Sequence, residues 1–350
     1  MFEQLGFENL NPIQASLILA LILGALFGAI AQHLKFCFRS AVVGSGNGGK
    51  TARGLWFVAL GIAVLVTQLL TVTGYITFAN QRLMDSELPI LAILVGGVMF
   101  GVGMVLTRGC ISRLTVLTGS GNLRALTVLI VFAILAHATL KGILAPLRIW
   151  FGSVTLPMGG VSSLADLPGG AAVWAILLAL ICFALAARSG VAWSKALWAG
   201  LLGLLVPAGW LGTGFVLQDE FDPIVIQSLS FTAPAADLLF WTVASSAIPA
   251  GFGVGLTLGV VLGAAAASLG KKQFNWQSFN TPKQTGRYFL GAALMGVGGV
   301  LAGGCTVGAG LAGIASLSIA AIIALASIAL GGWAMRALLT EKKSAAIGAH

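Results

Sequence analysis

Residues 291–313 read GAALMGVGGVLAGGCTVGAGLAG, a lone cysteine, Cys305, in a run of glycine and alanine whose nearest charged side chains are Arg287 and Arg336. A near copy stands earlier in the chain. Gly96, Gly101, Gly103, Leu106, Gly109 and Cys110 match Gly291, Gly296, Gly298, Leu301, Gly304 and Cys305 at one constant offset. A single glycine of this kind reads as tight helix crossing, because small residues let helices approach in a bilayer. Two matched frames that both end in Gly-Cys point instead to two symmetry-related pieces meeting at one site, the organisation of a membrane transporter.

Composition puts the chain in a bilayer. Only 8% of its 350 residues are charged, 58% are hydrophobic, and the mean hydropathy is +1.00. A soluble domain needs about 25% charged residues to cover its surface. The formal net charge of +9 does not indicate nucleic acid, since the basic residues gather in a few short loops, as membrane orientation requires. Cys37, Cys110, Cys182 and Cys305 form no CxxC pair, so neither a zinc site nor a disulfide framework is expected. No cofactor is expected either. No basic residue precedes Lys35, so no cleaved signal peptide is expected.

Orientation follows from the preference of positive residues for the cytoplasm. Residues 9–34 form a first span opened by Asn11-Pro12, and Lys35, Arg39, Lys50 and Arg53 then crowd an inner loop around GSGNGG. The acidic N-terminus, with Glu3 and Glu8, falls outside. Residues 54–81 return to an outer loop holding Arg82, Asp85 and Glu87. Residues 88–107 stop at Arg108-Gly109-Cys110, a broken or re-entrant element of the kind tolerated at membrane depth only where protein or water satisfies the backbone. Spans at 126–147, 167–187 and 196–217 follow, the last two joined inside by Arg188 and Lys195; an acidic outer loop with Asp219, Glu220 and Asp222 comes next. Residues 238–270 exceed one straight span of about 20 residues and break near Ser245, Ser246, Pro249 and Gly251. Residues 288–335 demand two crossings, and Arg336, Lys342 and Lys343 hold the C-terminus inside.

The expected fold is an all-α polytopic membrane protein of about nine transmembrane helices, one domain over residues 1–350. Its pseudo-repeat halves are roughly 12–165 and 238–340, with a linking helical pair at 167–217. The Cys110 element runs inward and the Cys305 element outward, the mark of an inverted repeat with short re-entrant half-helices. Gly24 and Gly28 have looser counterparts in Gly259 and Gly263.

Each Gly-Cys break leaves free backbone N–H groups where a new helix starts, at Ile111 after Cys110 and at Thr306 after Cys305. Those donors and the helix dipole make an anion site without a lysine. Gly109 and Gly304 let a substrate approach the backbone, and Thr306 and Ser112 add hydroxyls. Cys110, Cys305 and Cys37, the last in the junction KFCFR, offer weak, polarisable S–H donors to a soft sulfur atom. Cys182, in ALICFALAA, reads as a small hydrophobe. Arg108 and Arg113 flank Cys110 and either attract an anion or reach the interface. Lys141, one turn after His137 inside a span, is a second candidate for the path. The chain has no phosphate loop, HExxH zinc motif or nucleophile elbow, so nothing points to ATP-driven pumping or to an enzyme.

KFCFRSA around Cys37, GVGMVLTRGCISRL around Cys110 and LAGGCTVGAGL around Cys305 resemble the YeeE/YedE family of bacterial membrane proteins. The resemblance covers most of the chain. It implies thiosulfate uptake across the inner membrane, an hourglass shape with short helices dipping from both faces, and cysteines that contact thiosulfate in succession through S–H···S hydrogen bonds. Cys110 becomes the central thiol, with Cys37 and Cys305 as its companions, and a cytoplasmic sulfur-carrier protein becomes the expected partner. Three other readings stay open: a carrier of sulfate, sulfite or selenium oxyanions, a membrane sulfurtransferase forming a cysteine persulfide, and a structural subunit of a larger complex.

Overall fold

Asn11 accepts the Ile13 amide at 3.0 Å and Pro12 supplies a first residue with φ already helical, so α1 (Pro12–Leu34) starts where the sequence requires. It ends on Lys35 in the left-handed region, φ 54°. The computed structural model describes residues 11–78, 84, 87–218 and 223–347. The charges assigned from the sequence to the outer face, Glu3, Glu8, Arg82, Asp85, Asp219, Glu220 and Asp222, lie outside the described residues. After α1 come α2 (Phe38–Val43), α3 (Gly46–Val72), α4 (Ile90–Leu106), α5 (Ile111–Gly119), α6 (Leu123–Lys141) and α7 (Ala145–Gly152). The second part holds α8 (Gly170–Arg188), α9 (Trp193–Leu211), α10 (Thr232–Ala244), α11 (Phe252–Gly270), α12 (Pro282–Leu301) and α13 (Ile319–Ile347). Among the described residues the one sheet is a two-residue ladder pairing Glu87–Leu88 with Leu156–Pro157.

The chain is thus an all-α polytopic membrane protein. Among the described residues, eight helical stretches are long and apolar enough to cross a bilayer. The sequence tally of about nine adds α12, which is 20 residues long but carries Lys283 and Arg287 in its first two turns. The break expected within 238–270 is the gap between α10 and α11, and the two crossings demanded by 288–335 are α12 and α13. Between these last two, Gly308–Gly313 forms a π-helical segment.

The matched glycines form a contact with local two-fold symmetry. Gly96 of α4 faces Ala302 and Leu301, while Gly291 of α12 faces Thr107 and Leu106, the equivalent positions. A Cβ on Gly103 would fall 2.5 Å from the Gly291 carbonyl oxygen, and one on Gly298 would fall 2.6 Å from that of Gly96. Contacts that run up one helix as they run down the other make α4 and α12 antiparallel. The two helices also stop alike. Arg108 (φ 61°) donates its amide to Val105 at 3.3 Å, and Gly303 (φ 78°) donates to Val300 at 3.3 Å. The left-handed helix stop therefore lies one residue before Gly109 and Gly304. In the first copy an arginine occupies it.

Gly24 and Gly28 do not belong to this two-fold. They face Leu256, Gly259, Val260 and Ala264, and contacts advance together along α1 and α11, so these helices are parallel. Their matching glycine spacing is a packing seam. Each helix needs a smooth face at i and i+4 for its backbone to approach the other. The α8–α9 hairpin rests on α3, where a Cβ on Gly203 would sit 2.3 Å from the Ala59 carbonyl oxygen.

Candidate functional site

Three short helical turns begin at cysteines. The Cys37 carbonyl accepts the Ala41 amide at 3.3 Å, that of Cys110 accepts Leu114 at 3.0 Å, and that of Cys305 accepts Ala309 at 2.8 Å. Each sulfur then lies against the amide three residues on. The Gly308 N–H donates to Cys305 Sγ at 3.3 Å, and the amides of Ser40 and Arg113 occupy the same position beside Cys37 and Cys110. The amides just after each cysteine, Ile111 and Ser112 in the case of α5, have no intrahelical acceptor and carry the positive end of the helix dipole.

These turns bring the thiols into a row. Cys37 Sγ sits against Cys110 Sγ, Cys110 also meets the Thr306 hydroxyl, and Cys305 is close enough to interact with Cys110, which makes Cys110 the thiol the other two share. Ser112 Oγ lies 3.3 Å from Cys110 Sγ. Cys110, Cys305 and Thr306 have no exposed surface, and Cys37 is 8% exposed. Thr306 Oγ1 is buried and, apart from its approach to the Cys110 thiol, makes no well-formed hydrogen bond among the described residues, so the hydroxyl has capacity left for a ligand. Local backbone geometry aims Cys37. Its extended conformation (φ −162°, ψ 118°) sends neighbouring side chains to opposite sides, and Phe36 and Phe38 both pack on Trp56 at ring separations of 5.0 and 4.8 Å. Cys37 is left to face Cys110.

Clefts approach the row from both ends of α3. A cleft of about 450 Å³ at its first turns is lined by Lys35, Cys37, Ser40, Thr51 and Lys195. At its last turns lies a cleft of about 510 Å³ with Gln68, Thr71, Asp166 and Ser316. Ser316 is shared with a third cleft of about 320 Å³, lined by Ser230, Asp237, Gly303 and Gly308. A helix of 27 residues is about 40 Å long, enough to span a bilayer, and the two clefts lie toward its opposite ends. Cys37 opens onto one cleft, and Gly308, whose amide holds Cys305, lines a cleft at the other end.

Of the residues singled out from the sequence, Cys37, Cys110, Cys305 and Thr306 are brought together with the backbone of Gly109, Ile111 and Gly304. Gly109 is not demanded by packing, since a Cβ there would meet only Leu114 and Arg113, at 3.4 Å and beyond. Arg108 is exposed at the stop of α4 and lines none of these three clefts. Lys141 is exposed at the end of α6, where it and His137 face Asp237 instead of a thiol. Arg113 is the arginine that does reach the row, and Phe231, whose backbone lies against Cys305, was not legible as a contact. Cys182 sits on α8 near Gly61 of α3, away from the row. Cys182→Ala is expected to leave transport unchanged, measured as solute uptake by reconstituted vesicles against wild type.

A model of the sulphur-transport family matches residues 33–334. The chain is similar to the thiosulfate transporter TsuA of Escherichia coli (strain K12), 26% identical over 321 residues, covering 82% of this chain and 85% of that protein. It is also similar to the thiosulfate transporter TsuA of Spirochaeta thermophila, 25% identical over 138 residues, covering 39% of this chain and 41% of that protein.

Proposed function

The chain belongs to the sulphur-transport family, and from that premise we propose that it carries thiosulfate across the bacterial inner membrane along the row Cys305, Cys110, Cys37. The observation that carries this reading is the row itself, three thiols in series between clefts at opposite ends of a helix long enough to span. Thiosulfate is a small dianion with one soft terminal sulfur. Free amides at the start of α5 and the buried Thr306 hydroxyl suit its oxygens, and the thiols suit its sulfur. Binding spread over several weak sites is what allows release as well as entry.

The basic residues support an inward direction. Lys35 and Lys195 line the Cys37 cleft, and Lys271 contacts His33 at the same end of α1. Asp166 and Asp237 line the clefts at the other end. Positive residues on the cytoplasmic face make Cys305 the entry thiol and Cys37 the exit thiol, with the start of α1 outside and the end of α13 inside.

The test is uptake of radiolabelled thiosulfate by liposomes holding the purified protein. Saturable uptake, absent from empty liposomes and poorly competed by excess sulfate, is expected. Sulfate or sulfite entering while thiosulfate does not would overturn the reading.

A further inference from the structure

We infer that Arg113 is the charge-selecting residue of the path, favouring a doubly charged sulfur anion over a singly charged one; this rests on the thiol row being the substrate path. Arg113 stands in the first turn of α5, three residues after Cys110, and its side chain lies beside both Cys110 and Cys37. The guanidinium is fixed but not neutralised. Its NH1 group donates to the Ala31 carbonyl oxygen at 3.3 Å and to Gln32 Oε1 at 3.2 Å, both uncharged acceptors in the last turn of α1. Among the described residues it makes no further hydrogen bond and no ion pair. The carboxylates whose side chains are described are committed elsewhere: Glu87 meets Thr155, Asp166 accepts the amides of Ser162 and Ser163, and Asp237 faces Lys141 and His137.

A guanidinium has five N–H donors in a fork that fits an oxyanion, and here NH2 and Nε are left over. Holding a charge in a half-buried place against neutral partners alone is costly unless a ligand completes it. A dianion gains more from that charge than a monoanion does, by simple Coulomb attraction. The two-fold repeat makes the point sharper. The position equivalent to Arg113 in the second copy is Gly308, so the symmetry that matches the cysteines is broken here by one fixed positive charge. The charge sits beside Cys110 and Cys37, and among the described residues the equivalent position next to Cys305 carries no side chain at all.

The alternative role is a brace between α5 and α1. Three variants in liposomes separate the two, read with thiosulfate and with thiocyanate, a singly charged anion that also ends in sulfur. Arg113→Gln removes the charge and keeps a hydrogen-bonding side chain. It is expected to lower thiosulfate uptake by about tenfold or more while thiocyanate entry stays level or rises. Arg113→Lys is expected to keep the preference for thiosulfate at a reduced rate. Gln32→Ala loosens the brace, keeps the charge, and is expected to leave the ratio of the two anions unchanged. Parallel loss of both anions in Arg113→Gln and Gln32→Ala would overturn the proposal in favour of the brace. Wild-type vesicles that take up no thiosulfate would instead count against the thiol row as its path.

Discussion

Cys110→Ala is expected to lower the initial rate of thiosulfate uptake by ~10–100-fold, the consequence of losing one hydrogen bond to a charged group worth about 1.5–3 kcal/mol. Cys110 is the thiol with the most at stake because it touches both neighbours. Cys37 and Thr306 both meet it, Cys305 is close enough to interact with it, and Ser112 Oγ is 3.3 Å from its sulfur. On the proposed path a dianion handed from Cys305 to Cys37 meets Cys110 on the way. Cys37→Ala removes the thiol that lines a cleft, and Cys305→Ala the one whose sulfur is already held by the Gly308 amide; each thiol has one thiol neighbour in the row where Cys110 has two, so both variants are expected to cost less. Cys110→Ser is the informative variant. It keeps a donor of similar size and loses the polarisable sulfur, so a site that reads only oxygens would keep its rate. A serine variant running at the wild-type rate would sink the thiol relay, and the chain would then be an oxyanion carrier whose cysteine merely fills space.

How much of this the sequence revealed depends on what kind of feature was being read. The Gly-Cys breaks and their inverted relation were legible because a constant offset between two glycine patterns reports a shared helix register directly. The contacts between Gly103 and Gly291, and between Gly298 and Gly96, are that register made physical. The same spacing misleads at Gly24 and Gly259, since two parallel helices that touch also need matching glycines, and pattern alone does not separate mates from neighbours. Side-chain direction was the harder quantity. Arg108 is nearer than Arg113 to Cys110 in sequence, but it stands at the left-handed stop of α4 and is exposed at the protein surface. Arg113, a turn into α5, points back along its helix toward the start, where the thiols are. Counting three residues from the expected cap at Cys110 would have picked it out. Trp56 gave no signal at all, because its pairing with Phe36 and Phe38 exists only once α3 has folded back beside the Cys37 junction.

The second large effect is on folding, and it uses the two-fold as its own control. Gly101 of α4 packs on α13, where a Cβ would fall 2.1 Å from the Ile328 carbonyl oxygen and 2.6 Å from the Gly332 amide nitrogen. Gly296, its equivalent on α12, packs on α6, but there the closest atom is the Phe132 carbonyl oxygen at 2.9 Å. Backbone cannot move aside as a side chain can, so Gly101→Val must push α4 and α13 apart along their length. Overpacking of this kind costs about 1–3 kcal/mol and occasionally more, and it also forfeits close backbone contacts worth ~0.5–1 kcal/mol each. Gly101→Val is therefore expected to give little folded protein in detergent, and what folds should melt well below wild type. Gly296→Val, with several tenths of an ångström more room, is expected to fold and melt at an intermediate temperature. Yield by size-exclusion chromatography and melting by intrinsic tryptophan fluorescence read both. The order of the two variants decides the matter: a Gly101→Val protein as stable as Gly296→Val would mean that α4 and α13 do not meet so closely. Since α4 ends at the turn that presents Cys110, displacing it should also cost transport in whatever protein survives, a loss that Cys182→Ala vesicles, prepared alongside, should not show.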